Sequence, residues 1–260
     1  MRGIILAAGS GTRFNGAIYP KCLAPFEDRA LINIQLSTLR LCGITDITVV
    51  VGFSADSVRL ACGPQVRFVE NTRFHETNSL YSLWLARQVL DQGFVVMNCD
   101  VLFHPAMLMD LLTARHENAL LVAYPEPDAS EMGDEEMKVC VRRGRVVDID
   151  KALAPQRTDG ENVGIVKFSA SGARQLMPMM TELVESGHLS AWAPRAFQAF
   201  ARRHPLYAIG TRGLPWTEID FPEDLEHARA TTWPAISAVS SVPLLTRTGQ
   251  HRALAIASSS

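Results

Sequence analysis

The sequence has no surplus of positive charge: 25 Lys and Arg stand against 27 Asp and Glu, a formal net charge of −2. A groove that follows a nucleic-acid backbone needs clustered cations, so this balance argues against a nucleic-acid partner while leaving room for a local basic pocket. No Cys-x-x-Cys pair occurs among the five cysteines, Cys22, Cys42, Cys62, Cys99 and Cys140. Such a scattered, odd set reads as buried free thiols in a reducing compartment. The seven histidines include no His-Glu-x-x-His spacing, which argues against a zinc centre. No apolar run approaches the roughly 20 residues that cross a bilayer, and the run before Gly9 is too short for the apolar region of a signal peptide. The expectation is a soluble, cytoplasmic protein without membrane insertion. What is present is ordinary globular material, 47% hydrophobic and 20% charged, enough to build a core.

Strand and helix patterns alternate through the first half. Gly3–Ala8 is an unbroken apolar run closed by Gly9-Ser10-Gly11, as in a buried parallel strand. Ile32, Leu36 and Leu39 predict a helix over Leu31–Leu41, with Gly43 just past its end. Strands follow at Ile47–Val51, Val66–Val69 and Phe94–Asn98, with a helix over Ser79–Leu90 between the last two. Alternation of this kind predicts a mainly parallel sheet covered by helices on both faces. In the second half, Met137–Val141 and Arg145–Ile149 read as a hairpin turning at Arg143-Gly144, and Val163–Phe168 as a further strand. Helices are expected around Ser171–Ser186 and Ala191–Arg203, and strands at Leu206–Ile209 and Trp216–Ile219. Pro222 with Glu223 and Asp224 opens a last helix. From about Thr231 Ser, Thr, Ala and Pro dominate, so residues 231–260 read as a flexible tail, with room for one weak docking segment, behind a domain spanning 1–230.

The densest chemical signal is Leu6-Ala7-Ala8-Gly9-Ser10-Gly11-Thr12-Arg13 followed by Pro20-Lys21. A strand that feeds a glycine turn presents successive backbone N–H groups, which suit phosphate oxygens. Arg13 adds a planar cation beside the turn and Lys21 a more mobile one. Gly-x-Gly-x-x-Gly fails at Phe14, and the Gly-Lys-Ser/Thr ending of a Walker loop is absent. Without further context the segment could equally be a structural turn with surface cations.

The context comes from a resemblance. Leu-Ala-Ala-Gly-x-Gly-x-Arg followed by Pro-Lys resembles the signature of the nucleotidyltransferases that include sugar-1-phosphate nucleotidyltransferases and small-molecule cytidylyltransferases. Val50–Phe53, Asn98-Cys99-Asp100 and Trp216–Leu225 are similar to further segments of that family, and Thr77–Leu83 to its phosphocholine cytidylyltransferase branch. The resemblance implies a Rossmann-like α/β domain of the nucleotide-diphospho-sugar transferase type, with a mixed, mainly parallel sheet. It implies a nucleotide held by Leu6, Ala7, Ala8, Gly9, Ser10, Gly11, Thr12, Gly52, Asn78 and Ser79. Lys21 and Arg13 become the catalytic cations, and Asp100 and Asp220 the ligands of Mg2+, a hard ion content with one or two carboxylates plus phosphates. The reaction implied is in-line transfer of CMP from CTP to a small phosphorylated or phosphonate acceptor. A sugar-1-phosphate enzyme using UTP or another triphosphate, and a catalytically silent nucleotide-binding relative, are the alternatives.

Acceptor residues are read more openly. Phosphocholine-specific relatives surround the quaternary ammonium with aromatic faces, yet no Trp or Tyr lies between Pro125 and Ala191. Tyr124 and Trp192 are candidate walls or simply core. Lys138 and Lys151 would bring positive charge to a phosphate or phosphonate, and Glu161 could meet an ammonium or hydroxyl, unless all three belong to a solvated hairpin. Asn78 suits either a pyrimidine edge or the cap of the helix that follows it. A homo-oligomer is compatible with the sequence, which carries no sign for or against one.

Overall fold

The structure, a computed structural model, describes residues 1–11, 14, 18–125 and 132–240. Its centre is a nine-stranded sheet in the order β5-β4-β1-β6-β11-β8-β12-β10-β9. These strands are β1 (Arg2–Ala7), β4 (Ile47–Val51), β5 (Arg67–Glu70), β6 (Phe94–Asn98), β8 (Ala119–Ala123), β9 (Lys138–Arg142), β10 (Arg145–Ile149), β11 (Gly160–Phe168) and β12 (Tyr207–Gly210). The first four in spatial order are all parallel, as their continuous apolar sequences predict. β11 runs antiparallel to β6 and β8, and β10 antiparallel to β12 and β9, so the sheet is mixed. β2 (Pro25–Phe26) and β3 (Arg29–Ala30) form a small hairpin, and β7 (Val101–Phe103) pairs with β13 (Trp216–Glu218).

Alternation along the strands sends side chains to two layers. Ile4, Leu6, Val96, Val166 and Phe168 pack under α3 (Ser79–Leu85), α5 (Ala170–Glu185) and α6 (Pro194–Arg203). Ile5, Ala7, Val49, Val95 and Met97 face α1 (Leu31–Leu41), α2 (Ala55–Cys62) and α4 (Pro105–Thr113). Aromatic rings weld the first layer, with Phe168 at 5.4 Å from Phe94 and 5.0 Å from Phe200.

Several expected boundaries move. The helix expected to reach Leu90 is α-helical only to Leu85 and tightens into a 3-10 turn over Ala86–Val89. β11 begins at Gly160, three residues before the expected start, because its first residues also pair with β9. The helix expected from Ala191 starts at Pro194. Cys42 and Cys99 are half-buried, whereas Cys22, Cys62 and Cys140 are buried; all five are free.

The largest correction concerns the expected tail. α7 (Pro222–His227) runs through a π-helical turn at Ala228–Thr232 into α8 (Trp233–Ser240). Leu225, Ala228 and Ile236 are buried against Phe26, Leu31 and Ile34. The Trp233 ring lies tilted against Phe26, with ring centres 6.0 Å apart, and donates its indole N–H to Glu27 Oε1 at 3.0 Å. Arg229 donates to the Pro25 carbonyl at 2.8 and 2.6 Å. Small and polar residues dominate this stretch, so its few apolar anchors do not announce a helix; tertiary burial supplies one. Residues 241–260 lie outside the described residues.

Candidate active site

At the carboxyl ends of β1 and β6 lies a cleft of about 300 Å3. β1 ends into the glycine turn, and Leu6, Ala8, Gly9 and Gly11 line the cleft. A side chain at Gly9 would meet nothing within 4 Å, so the backbone there is open to a ligand. Gly11 has φ +62, and a Cβ there would lie 2.7 Å from Lys21 Cγ, so glycine is what lets the lysine cross the turn. Ala7 belongs to the opposite core layer, and Ser10 is half-exposed and outside the wall. Gly52 packs against the Ala8 backbone from beneath rather than reaching the cleft, and the next residue, Phe53, donates its N–H to the Ala8 carbonyl at 3.0 Å. Thr12 and Arg13 lie outside the described residues.

The charged floor is built by two elements far apart in sequence. β6 ends at Asn98 and the chain turns through Cys99-Asp100 into β7. The ladder between β7 and β13 sets Glu218 opposite Val101, and Ile219 donates its N–H to the Asp100 carbonyl at 2.9 Å. The backbone N–H groups of Asp220 and Phe221 then donate to the Asp224 carboxylate at 2.8 and 2.7 Å, fixing the turn into α7. The result is three carboxylates, Asp100, Glu218 and Asp220, each offering an oxygen within 4.8 Å of the others.

Lys21 reaches into this group from its own 3-10 turn. Its ammonium bonds Asp220 Oδ1 and lies 3.5 Å from Asp100 Oδ2. Burial presses the ammonium pKa down, but Asp100 and Asp220 outweigh it and hold the group above its ordinary value. The acids respond in kind. Burial raises the Asp100 carboxyl, Asp220 adds to the rise, and Lys21 opposes it. Glu218 is pushed well above the usual carboxylate range by burial and by Asp100 and Asp220. Asp100 Oδ1 is buried with no hydrogen-bond partner. One lysine thus faces three acids, and an orphaned oxygen remains among hard donors. That donor set fits a small hard dication such as Mg2+, with Asp100, Asp220 and Glu218 as the residues able to hold it.

The opposite wall carries polar groups held in a fixed lattice. Asn71 is buried and donates to Thr77 Oγ1 at 3.0 Å and Ser82 Oγ at 3.1 Å. Asn78 Oδ1 accepts from the Ser79 N–H at 2.7 Å, and Ser79 Oγ accepts from the Ala193 N–H at 2.8 Å. Asn78 therefore caps α3 and also lines the cleft.

At the far end, Lys151 and Trp192 line the cleft, the ammonium 4.9 Å from the ring centre and 3.0 Å from Glu135 Oε2. Glu161 is outside the lining, and burial, Glu136 and Asp220 raise its carboxyl to about 7. Lys138 does not reach the cleft. It is buried and donates its ammonium to the Lys151 carbonyl at 2.9 Å, because β9 turns that side chain inward beneath the loop after β10. Tyr124 also stays outside, its ring lying where a side chain at Gly210 would touch it.

Glu218 is the carboxylate of this cluster that sequence reading missed. Its signal was there: Glu218 and Asp220 are two apart on a strand ending, the spacing that puts both on one face.

The chain belongs to the MobA-like NTP transferase domain family, whose sequence model matches residues 3–215. The bifunctional IPC transferase and DIPP synthase of Rubrobacter xylanophilus is 30% identical over 225 residues, 85% of this chain and 49% of that protein. The chain thus spans about half the length of that relative. Among solved structures, the CTP:phosphocholine cytidylyltransferase of Streptococcus pneumoniae shares the fold with TM-score 0.73 at 24% identity, over 88% of this chain and 97% of that one. The inositol-1-phosphate CTP transferase of T. maritima does so with TM-score 0.74 at 21% identity, over 92% and 96%.

Proposed function

We propose that the protein is a magnesium-dependent cytidylyltransferase. It transfers CMP from CTP to a small acceptor bearing a phosphate or phosphonate and releases pyrophosphate. The observation that carries this reading is Lys21 held between Asp100 and Asp220 beside the open Gly9–Gly11 turn. The CTP-using names of the relatives support the choice of base.

An oxygen of the acceptor phosphate attacks the α-phosphorus of CTP, a new P–O bond forms, and the bond to the β-phosphate oxygen breaks as pyrophosphate leaves. The attacking oxygen is already anionic near neutral pH, so no general base is needed. The barrier is the meeting of two anions, and the chain lowers it by positioning and by charge. The backbone at Gly9 and Gly11 cradles phosphate oxygens. Lys21 stabilises charge gathering on the α-phosphate, with Arg13 as a second cation for the β- and γ-phosphates. Asn78 and Ser79 orient the pyrimidine edge. Asp100, Asp220 and Glu218 would hold Mg2+, which would supply neutralisation of phosphate charge.

Trp192 with Lys151 forms the acceptor end of the cleft. The Trp192 face is already covered by the Lys151 ammonium, which leaves it a weak trap for a trimethylammonium, while a lysine suits a second anionic group, so alcohol phosphates and phosphonates fit this wall better than phosphocholine.

The test is pyrophosphate release with Mg2+, crossing the four ribonucleoside triphosphates with inositol-1-phosphate, 2-aminoethylphosphonate, phosphocholine and glucose-1-phosphate. Release with CTP and a non-sugar acceptor is the expected result. Release confined to glucose-1-phosphate, or to another triphosphate, would overturn the assignment.

A further inference from the structure

Gln35 is a polar residue inside the apolar stripe of α1, where Ile32, Leu36 and Leu39 pack against the sheet. It is 1% exposed. Its amide nitrogen donates to the Asn98 carbonyl at 2.9 Å and to the Val101 carbonyl at 2.8 Å. Those two carbonyls bracket the Cys99-Asp100 turn, so both N–H groups of one side chain are committed to the backbone on either side of one carboxylate. Gln35 Oε1, by contrast, is buried without a partner. Turning the amide over would set that oxygen against two carbonyl oxygens, so the turn itself dictates the orientation. An apolar residue of the same size would fill the stripe without leaving a buried acceptor unmet. The amide is therefore poorly explained by packing and well explained by the turn it grips. Asp100 has a second tether on its other side, the Ile219 N–H to its carbonyl at 2.9 Å, which ties it to the strand bearing Glu218.

We infer that Gln35 is a positioning residue for Asp100: it clamps the 98–101 turn so that the Asp100 carboxylate stands in register with Glu218 and Asp220. The inference rests on the reading of those acids as a metal site. Outer partners that orient metal ligands typically change metal affinity by about 10- to 100-fold when removed.

The experiment measures Mn2+ binding by electron paramagnetic resonance, with no nucleotide or acceptor present, on the parent and four variants. Gln35→Met keeps the volume and removes both donors; Gln35→Glu keeps the length and serves if the first variant does not fold. Ile32→Val, on the same helix stripe, is the control for general loosening, and Asp100→Asn tests the metal site itself. Expected are about tenfold weaker Mn2+ binding in either Gln35 variant, unchanged binding in Ile32→Val, and a larger loss in Asp100→Asn. Binding within twofold of the parent in a folded Gln35 variant, or an equal loss in Ile32→Val, overturns the positioning role while the metal site stands. Unchanged binding in Asp100→Asn overturns the metal site and the inference with it.

Discussion

Lys21 and Lys138 are both lysines withdrawn from solvent near one cleft, one beside the parallel half of the sheet and one on a strand of the antiparallel half. Lys21, on its 3-10 turn, meets two carboxylates. Lys138 belongs to the antiparallel half and, among the described residues, meets a backbone carbonyl and no carboxylate. The first is held where charge can be moved onto a ligand; the second pins the loop that carries Lys151. The lesson is that a cation's place in a motif says less than its partner. Carboxylates across from a buried lysine mark a site, whereas a carbonyl marks a brace.

The widest separation should come from removing each lysine in turn. Lys21→Ala is expected to lower kcat by about a thousandfold, the scale of a lost group that stabilises transition-state charge. Lys138→Met should instead lower the melting temperature and leave the CTP KM unchanged. Steady-state kinetics and thermal unfolding on both variants check the contrast, and equal losses of kcat would erase it.

Glu218→Gln should cost about 10- to 100-fold in the Mg2+ concentration needed for half-maximal rate. A Mg2+ titration at saturating CTP reads this, and an unmoved midpoint would leave Asp100 and Asp220 as the sole carboxylate ligands. On the acceptor side, Trp192→Ala should raise the acceptor KM several-fold, about 1 kcal/mol of lost contact, without moving the CTP KM. Tyr124→Phe should change neither; a raised acceptor KM in that variant would bring Tyr124 back into the site.

The last effect is on stability rather than on rate or affinity. Glu161 in the folded protein titrates near 7, against an ordinary 4.5. The native state therefore keeps a proton that the unfolded chain releases between those values. The stabilisation this gives is complete below pH 4.5 and is lost as pH rises through about 7. Glu161→Gln should remove that fall, worth up to about 3 kcal/mol, and denaturant unfolding of the metal-free protein at pH 5 and pH 8 measures it.

The parallel half was the more legible in sequence. Unbroken apolar strands ending in glycine or aspartate fix both the layer order and the edge where loops gather, so Gly9, Gly11, Lys21 and Asp100 converge as read. Asp220 joins them only through the β7–β13 ladder, a pairing over more than a hundred residues that the motif resemblance marked and periodicity did not. Lys138 and Tyr124 were misplaced because strand alternation gives the face of a side chain only once the register is known, and β11 pairs with both β8 and β9. The segment after Thr231 hid its helix because Ala228, Trp233 and Ile236 acquire their meaning from Phe26 and Leu31, two hundred residues earlier.

The most direct test of the metal-centred site is anomalous diffraction from crystals grown with Mn2+ and a non-hydrolysable CTP analogue. The expected result is a manganese peak within about 2.3 Å of carboxylate oxygens from Asp100 and Asp220, with the phosphates over the Gly9–Gly11 turn and Lys21 drawn toward the α-phosphate. Nucleotide bound with the metal elsewhere, and Lys21 still bridging the two aspartates, would contradict it.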